Sequence, residues 1–320
     1  MTKGRNWVQM WLLTAALTWI PSAGGANALQ NQTVSKPCTA DVVKDLLSPP
    51  KPGEVVFFLD CSVKLRPTDV ITRPIVIAGS AGNGVALDCN GGRIDGRGEL
   101  SKTEPSTLII RSRLREGKWD RPEQVTVRNC RILGSAKIYG LGDSGNAPAV
   151  RVSSFHPSHT KRAQAAAPRD VLFEKVEFIT DGRLPFYVAP GATNVTLRKS
   201  RFSGRTQTVA VYLDAESQLN TIEETVFDIS TDKRELIAVD GSANNRIVQN
   251  TFHRVRNGGI FFYRNCGEAG TIRHQTPHGN IVRDNTFDMN GRKPAIWLNS
   301  RNGNSKFCFS DVEAPFGSSL

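Results

Sequence analysis

Short segments with alternating apolar and polar positions recur along the chain, and each of them closes on a large apolar residue. A period of two is typical of a β-strand with one buried face, whereas helical repeats have a period of 3.6. Over the middle of the chain the segments end about 25 residues apart, which predicts a solenoid of stacked β-coils. The segments are 125–132 (VTVRNCRI), 171–178 (VLFEKVEF), 195–202 (VTLRKSRF), 220–227 (NTIEETVF), 245–252 (NRIVQNTF) and 280–287 (NIVRDNTF).

A second series of short apolar segments keeps the same interval: 186–189 (FYVA), 211–214 (VYLD), 237–240 (IAVD), 260–263 (IFFY) and 296–299 (IWLN). Two short strands per coil are therefore predicted, with successive coils stacked at roughly 4.8 Å. The alternate aliphatic positions of this series are expected to point into the coil. These positions are Val211, Leu213, Ile237, Val239, Ile260, Phe262, Ile296 and Leu298.

The segment Asn245–Phe252 has the pattern N-x-I-x-x-N-x-F. With this pattern, the chain from about residue 75 to 310 resembles the right-handed parallel β-helix family. The resemblance implies an all-β fold, a right-handed parallel β-helix solenoid with coils of about 25 residues. The family includes pectate and alginate lyases, polygalacturonases, uronate epimerases, phage tailspikes and accessory proteins without chemistry. The chain lacks the Asp-Pro-His-Asp, Asn-Thr-Asp, Gly-His-Gly and Arg-x-Pro-x-x-Arg motifs of the individual enzymes.

The first residues have the features of a secretory signal peptide. Lys3 and Arg5 precede the apolar run Trp7–Ile20, which is too short for a stable membrane span, and Ala26-Asn27-Ala28 is a small-x-small cleavage site. We expect an exported chain that starts near Leu29, without an integral membrane segment, in the periplasm or outside the cell. The predicted organisation is a signal peptide (1–28), an N-terminal cap with the first strands (29–74), the β-helix (75–310) and a C-terminal tail (311–320).

A short helix with Thr39 as its N-cap is predicted over 39–47, where it would cover the exposed end of the first coil. The six cysteines include no C-x-x-C pair, so they indicate disulfides in an oxidising compartment rather than a metal site. Six cysteines allow fifteen pairings. Cys38–Cys61 is predicted because that bridge would join the cap helix to the first strand. The segment Asn299–Leu320 offers no comparable lid.

The chain carries 41 Lys and Arg against 30 Asp and Glu, a formal net charge of +11. A basic surface attracts anionic polymers. Because an exported protein meets envelope polymers more often than DNA, we expect an acidic polysaccharide as partner and no nucleic acid. The cofactor requirement stays open, with Ca²⁺ as one possibility.

Two columns of outward residues follow from the alternation of the second series. One contains Tyr187, Tyr212, Ala238, Phe261 and Trp297, and the other contains Ala189, Asp214, Asp240, Tyr263 and Asn299. Aromatic side chains beside carboxylates on a rigid sheet suit the stacking of sugar rings and acid–base chemistry on them. This face is therefore the predicted site.

Long insertions are predicted to wall the same face. Gly134–Pro148 and Ser154–Pro168 would flank a strand at 149–153, and Arg264–Gly279 follows Tyr263 directly. Insertions in solenoids form loops, often on the binding face. The last insertion would bring its charged and titratable residues near Asp240, namely Arg264, Glu268, Arg273, His274 and His278.

Abstraction of the C5 proton of a uronate requires neutralisation of the carboxylate, a base and an acid. The candidates are Arg264 or Arg273 for neutralisation, with His274 and Tyr263 for proton transfer. Elimination would make the protein a lyase, and reprotonation would make it an epimerase. The candidate catalytic residues are Asp214, Asp240, Tyr263 and His274, and the candidate substrate-binding residues are Tyr212, Phe261, Arg264, Arg273 and Trp297.

Two other functions remain open. A glycoside hydrolase would use Asp214 and Asp240, which lie on adjacent coils about 4.8 Å apart, near the spacing of a retaining pair. A glycan-binding or adhesion protein would use the aromatic column without chemistry. Structural roles also compete: turn formation for the aspartates, solvation of His156 and His159, and a corner ladder for the asparagines 194, 220, 245 and 280.

Overall fold

The computed structural model describes residues 35–96 and 106–300. These residues form three parallel sheets, here called A, B and C, and each coil of the solenoid adds one strand to every sheet in the order A, B, C. All neighbouring strands within the three sheets pair in parallel, as the repeat predicts. The predicted signal peptide (1–28) and the whole predicted C-terminal tail (311–320) lie outside the described residues.

The strands are numbered in chain order. Sheet A contains β1 (Phe57–Phe58), β4 (Ile75–Ala78), β7 (Leu108–Arg111), β12 (Ala136–Tyr139), β15 (Phe186–Val188), β18 (Val211–Leu213), β21 (Ile237–Asp240), β24 (Ile260–Tyr263) and β27 (Ile296–Leu298). Sheet B contains β2 (Val63–Lys64), β5 (Ala86–Asp88), β10 (Thr126–Arg128), β13 (Arg169–Glu174), β16 (Thr193–Arg198), β19 (Thr221–Glu223), β22 (Arg246–Val248) and β25 (Ile281–Arg283).

Sheet C contains β3 (Val70–Ile71), β6 (Arg93–Asp95), β11 (Arg131–Leu133), β14 (Glu177–Gly182), β17 (Arg201–Thr206), β20 (Val226–Thr231), β23 (Thr251–Val255) and β26 (Thr286–Met289). An antiparallel hairpin of β8 (Arg113–Arg115) and β9 (Lys118–Asp120) stands apart from these sheets. The helices are α1 (Ala40–Leu46), α2 (Pro148–Ser154) and α3 (His159–Ala166), with 3₁₀ turns at Ser80–Gly82 and Glu268–Gly270.

The prediction of two strands per coil is wrong, because each segment of the first series bends between sheets B and C. In six successive coils one residue at this corner has a positive φ, between 49° and 57°. A single residue in the left-handed conformation turns the chain without an insertion, so the apolar pattern continues through the corner. The six corner residues are Asn129, Lys175, Lys199, Glu224, Gln249 and Asp284.

A ladder of stacked phenylalanine rings runs through the interior, as the closing residues of the first series predict. Phe227 and Phe252 stack with centroids 4.6 Å apart, and Phe287 lies 4.5 Å beyond Phe252. Most predicted inward residues of sheet A are fully buried in the same core. Leu298, on the last described strand of sheet A, is instead 39% exposed.

Asparagine side chains link successive coils, as predicted for Asn220, Asn245 and Asn280. The Asn245 amide donates to Asn280 Oδ1 at 2.8 Å, and the Asn220 amide donates to Asn245 Oδ1 at 3.0 Å. Asn194 lies outside this ladder because Val195 holds the corresponding position, and the Asn194 amide donates to Asp170 instead. Because these side chains satisfy buried backbone N–H groups, the ladder has a structural role.

The N-terminal cap has the predicted form. The Thr39 hydroxyl accepts a hydrogen bond from the Val42 amide at the start of α1, and Cys38 is disulfide-bonded to Cys61. A second disulfide joins Cys89 to Cys130. Both bridges tie neighbouring chain segments at the N-terminal end of the solenoid.

Replacing Cys38 and Cys61 together by alanine is expected to lower the free energy of unfolding by roughly 3 kcal/mol, because the bridge closes a loop with a sequence separation of 23 residues. Chemical denaturation under non-reducing conditions measures this change. The reduced wild-type protein is a poor comparison because it loses every disulfide, so the control is the oxidised wild type. An unchanged denaturation midpoint in the double variant would contradict the prediction.

The insertions all leave the coils between sheets A and B. The hairpin β8–β9 follows β7, helices α2 and α3 follow β12, and residues 264–279 follow β24. The predicted strand at 149–153 is wrong: these residues lie in helix α2, with Pro148 at its first turn. A single excursion from Gly140 to Pro168 thus replaces the two predicted loops, and it stands on the outer side of sheet A.

Candidate functional site

The outer face of sheet A carries both predicted columns in register. Tyr187 pairs with Tyr212, Tyr212 with Ala238, Ala238 with Phe261, and Phe261 with Trp297. The expected exposed aromatic platform does not form, because Phe261 is 6% exposed and packs with Val209, Ala238 and Tyr263. On the N-terminal side, Val76, Ala78 and Ile109 form another buried cluster on this face. The face is open between the two clusters.

A pocket of about 490 Å³ occupies that opening. Its floor is Lys137, Tyr187 and Tyr212 on adjacent strands of sheet A. One wall is the loop 143–146 at the start of the helical excursion, and another contains Glu268 and Arg273 of the last insertion. Loops between sheets C and A contribute Arg183, Leu184, Thr208, Val209 and Arg234. The pocket is therefore bounded by residues from several separate parts of the chain.

Arg273 is buried behind the pocket among carboxylates. Its guanidinium Nη1 contacts Asp214 Oδ1 and lies 2.9 Å from Asp240 Oδ2, and its Nη2 lies 3.3 Å from Glu268 Oε2. Burial opposes the charge of Arg273, but Asp240 and Asp214 raise its pKa well above the usual value. Burial also raises the pKa of Asp240, with the neighbouring Asp214 acting in the same direction. The two aspartates share one cation.

Each of these aspartates accepts a hydrogen bond from a tyrosine of the pocket floor. The Tyr187 hydroxyl donates to Asp214 Oδ2, and the Tyr212 hydroxyl donates to Asp240 Oδ2 at 2.6 Å. Burial, followed by the charge of the adjacent aspartate, raises the pKa of both tyrosines well above 10. Both phenols are therefore neutral at physiological pH, and both tyrosines line the pocket.

Gly145 places its backbone directly over this network. Its amide donates to the Tyr187 hydroxyl at 3.1 Å, and a Cβ atom at this position would lie 2.8 Å from both Arg273 Nη2 and Asp214 Oδ2. Any side chain at 145 would displace these groups. The close approach of the loop 143–146 thus requires glycine at this position.

Glu216 fixes the backbone beside Arg273. Its Oε1 accepts hydrogen bonds from the amides of His274 at 2.7 Å and Gln275 at 3.3 Å, and Thr160 of α3 donates to its Oε2. Glu216 is fully buried, and this burial raises its pKa. One carboxylate thereby joins the helical excursion to the insertion that carries Arg273.

Several predicted site residues lie away from the pocket. His274 contacts the Ser154 carbonyl through Nε2 at 2.8 Å, and its ring lies 5.3 Å from that of His159, so it joins two insertions. Arg264, predicted to bind substrate, is 1% exposed, donates to the Arg273 carbonyl and does not line the pocket. Tyr263 is buried, and its hydroxyl contacts Arg234 and Glu235 at 2.7 and 3.0 Å.

Trp297 lies at the C-terminal end of the outward column, beyond Phe261, with its ring 37% exposed. The pocket therefore unites Asp214, Tyr212 and Arg273 of the predicted set, with Asp240 directly behind Arg273. Tyr187 and Lys137 were not predicted as site residues. Tyr187 was in the predicted column, and its pairing with a column carboxylate could have indicated it.

His159 is buried rather than solvated, since it is 1% exposed within α3 and its Nδ1 lies 3.0 Å from Ser153 Oγ. Burial, with smaller effects from His274, Arg162 and Arg273, lowers its pKa from 6.5 to about 4. His156, three residues earlier, is exposed, in agreement with the prediction for that residue.

The His159 imidazole predicts a dependence of stability on pH. Between about pH 6.5 and 4 the unfolded chain binds a proton at His159 that the folded chain does not, so this contribution, at most roughly 3 kcal/mol, is present above pH 6.5 and is lost as the pH falls. Denaturation of wild type and His159→Gln across this range measures it. Glu216 acts in the opposite direction in both proteins. Equal pH slopes for the two would contradict the prediction.

Two further properties concern the described part of the chain. No cluster of three or more His, Cys, Asp or Glu side chains with the geometry of a metal site occurs within residues 35–96 and 106–300. In the same ranges no helix is long and apolar enough to span a bilayer.

Comparison with known proteins identifies the family. Residues 117–312, more than half of the chain, match the model of the right-handed beta helix region, so the protein belongs to the right-handed parallel β-helix family. No curated protein matches the sequence.

Two solved structures are similar at low scores. The surface adhesin PfbA of Streptococcus pneumoniae is 14% identical with a TM-score of 0.35, over 70% of this chain and 56% of that one. A candidate glycosyl hydrolase from Parabacteroides merdae is 12% identical with a TM-score of 0.26, over 73% of this chain and 82% of that one. At these scores neither likeness bears on the activity.

Proposed function

We propose that the protein is an exported carbohydrate-active protein that holds the terminal unit of an acidic polysaccharide in the pocket on sheet A and acts on it as a lyase or C5-epimerase. The observation that carries the proposal is the pair of pocket-lining tyrosines whose hydroxyls are each hydrogen-bonded to a buried aspartate. Such pairs can accept and supply protons in a site partly shielded from water.

The extent of the pocket supports binding of a chain end. Buried clusters cover the outer face of sheet A on both sides of the opening, around Ile109 and around Phe261. A polymer cannot lie along the sheet axis without displacing these side chains. A terminal sugar can enter from the front, where its hydroxyls meet the two tyrosines and Asn265 in the pocket lining.

The cationic side chains of the pocket indicate where the carboxylate of the substrate would bind. Lys137 lies on the floor, 3.9 Å from Asp143, and Arg183 lies on a wall. Arg273 is surrounded by three carboxylates, so its charge is already balanced. In this proposal Lys137 and Arg183, which line the pocket, neutralise the substrate carboxylate, and Arg273 holds the two aspartates in place.

The proposed proton transfers follow from the two tyrosine–aspartate pairs. The Tyr187 oxygen takes the C5 proton while its own proton passes to Asp214, and the electron pair of the C5–H bond moves toward the neutralised carboxylate. Burial raises the pKa of Asp240, and Tyr212, whose hydroxyl is hydrogen-bonded to this carboxyl, is the proton donor in this proposal; solvent returns a proton to Tyr212 after each turnover. In elimination the C4–O4 bond breaks as the C4=C5 double bond forms and Tyr212 protonates the leaving O4, so the bound unit is a reducing-end uronate whose O4 carries the rest of the chain. In epimerisation the C4–O4 bond stays intact and Tyr212 protonates C5 from the opposite face.

The hydrolase alternative receives less support. Asp214 and Asp240 contact the same guanidinium nitrogen, and each accepts a hydrogen bond from a tyrosine, so both carboxylates are already engaged within the protein. A nucleophilic carboxylate of a retaining enzyme must reach the anomeric carbon. The retaining pair predicted from coil spacing would have to break this network first.

The test is incubation with a panel of acidic and neutral polysaccharides. A lyase produces unsaturated uronates that absorb near 232 nm, and an epimerase in D₂O incorporates deuterium at C5. For a lyase, the terminal-unit proposal requires that monomeric or dimeric products appear before the viscosity of the polymer solution falls. Tyr187→Phe and Asp240→Asn are expected to lower turnover by about 10²-fold with binding nearly unchanged. His278→Ala is the matched control, because His278 is exposed and outside the pocket.

Three outcomes would overturn parts of the proposal. Full turnover in Asp240→Asn would remove this residue from the mechanism. An early fall in viscosity would replace terminal by internal attack. Glycan binding without turnover of any polymer would establish the binding-protein alternative.

A further inference from the structure

Three exposed apolar residues stand on the excursions between sheets A and B. Leu114, Val152 and Phe155 are 60%, 69% and 67% exposed, more than any other large apolar residue of the described ranges. Leu114 lies in the hairpin β8–β9, Val152 in α2, and Phe155 directly after α2. Prominent apolar side chains at the tips of projecting segments are costly in water unless they serve an interaction.

These side chains belong to one continuous surface. Leu114 pairs across the hairpin with Trp119, so the two lie on the same hairpin face. Trp119 and Val152 line a common, largely apolar groove of about 670 Å³ between the hairpin and the helices. Phe155 is three positions after Val152 and lies on the same side of α2. We call these four residues, with their surroundings at 113–119 and 148–162, the hairpin–helix surface.

The hairpin–helix surface is basic. It exposes five cationic side chains and one carboxylate, Glu116, and the cations are Arg115, Lys118, Arg151, Lys161 and Arg162. The opposite faces of the helices are fixed to the protein, since Val150, Ala163 and Ala166 are buried in a local core. Trp119 packs against this core from the hairpin, whereas Leu114, Val152 and Phe155 are outside it.

We propose that the hairpin–helix surface docks onto an anionic lipid surface. Protruding aliphatic and aromatic side chains gain burial at the level of the headgroups, and surrounding Lys and Arg are attracted by anionic lipids. Protein–protein interfaces are depleted in lysine, whereas two lysines here stand beside the apolar residues. This combination favours a lipid surface over a protein partner. The proposal is independent of the function of the pocket.

The experiment is co-sedimentation with vesicles of equimolar phosphatidylglycerol and phosphatidylcholine, compared with phosphatidylcholine alone. The protein is the chain from Leu29, which omits the apolar run Trp7–Ile20 and retains the whole compact unit Thr33–Leu320. Binding is expected only to the anionic vesicles, weakening with added salt, with a blue shift of Trp119 fluorescence. Leu114→Ser, Val152→Ser and Phe155→Ser combined are expected to lower the affinity at least tenfold.

Two control variants separate the surface from general effects. Leu219→Ser alters a residue that is 52% exposed elsewhere and is expected to bind like wild type. Lys118→Gln, Lys161→Gln and Arg162→Gln combined are expected to weaken binding and its salt dependence. Because all these residues are exposed, melting temperatures should be unchanged. Failure to bind anionic vesicles, or equal binding by the triple serine variant, would overturn the proposal.

Discussion

Replacement of Arg273 by methionine is expected to lower the free energy of unfolding by about 3–5 kcal/mol at neutral pH. Arg273 is buried, and its guanidinium is the cation that Asp214 and Asp240 share. Methionine fills much of the same volume but leaves two buried carboxylates without a counter-charge. Urea denaturation followed by circular dichroism measures the change.

A triple variant tests this explanation: it combines Arg273→Met with Asp214→Asn and Asp240→Asn. Without the carboxylates the missing cation costs less, so this triple variant is expected to regain most of the lost stability. The single variant should also recover as the pH falls, because burial raises the pKa of Asp240 and its protonation removes an uncompensated buried charge. A single variant as stable as wild type at pH 7 would contradict the ion-pair network.

Phe252→Ala is expected to lower the free energy of unfolding by about 3–5 kcal/mol through the cavity that it leaves. The Phe252 ring is fully buried, with stacked neighbours Phe227 and Phe287 at 4.6 and 4.5 Å. Neighbouring coils are linked by parallel hydrogen bonds on three sheets, so they cannot close this gap. The denaturation midpoint should fall while the dependence on denaturant stays constant.

Phe155→Ala is the matched control, because Phe155 is 67% exposed and its removal opens no cavity. A change of less than about 0.5 kcal/mol is expected there. If the two alanine variants were equally stable, the ring ladder would make no more contribution than a surface side chain, and the assigned register would be in doubt.

The fold could be predicted because its determinants are local and repeated. Stacking Phe227 on Phe252 requires only that the same apolar position recurs at the coil interval, and Thr39 has the expected capping contact. The third strand was missed because residues such as Lys199 and Glu224 adopt positive φ without a glycine to mark the turn. Helix α2 was missed because alternating Val150 and Val152 resemble a strand, although Pro148 suits a first helical turn.

Only those features of the site that depend on the strand register of sheet A could be predicted from the sequence. Alternation places Tyr212 and Asp214 on the outer side of sheet A, and the insertion after Tyr263 does bring Arg273 to the aspartates. The alternation of apolar and polar positions does not show how deeply the side chains on this outer face are buried, because their burial depends on the paths of the long excursions that cover them. The positions of His274 against Ser154 and of Gly145 over Asp214 arise from such paths, which no short sequence period encodes.

All three excursions leave and rejoin the coils between sheets A and B, so their lengths do not alter the stacking of the neighbouring coils. A change in a wall of the pocket or in the hairpin–helix surface can therefore arise by insertion or deletion without shifting the rings or asparagines of the scaffold. In an ordinary compact domain a change in a recognition loop more often disturbs the core, because the loop and the core share contacts. In this architecture the segments that determine specificity are distinct from the coils that determine folding. A new specificity can therefore be acquired by exchange of one loop while the number of coils stays constant.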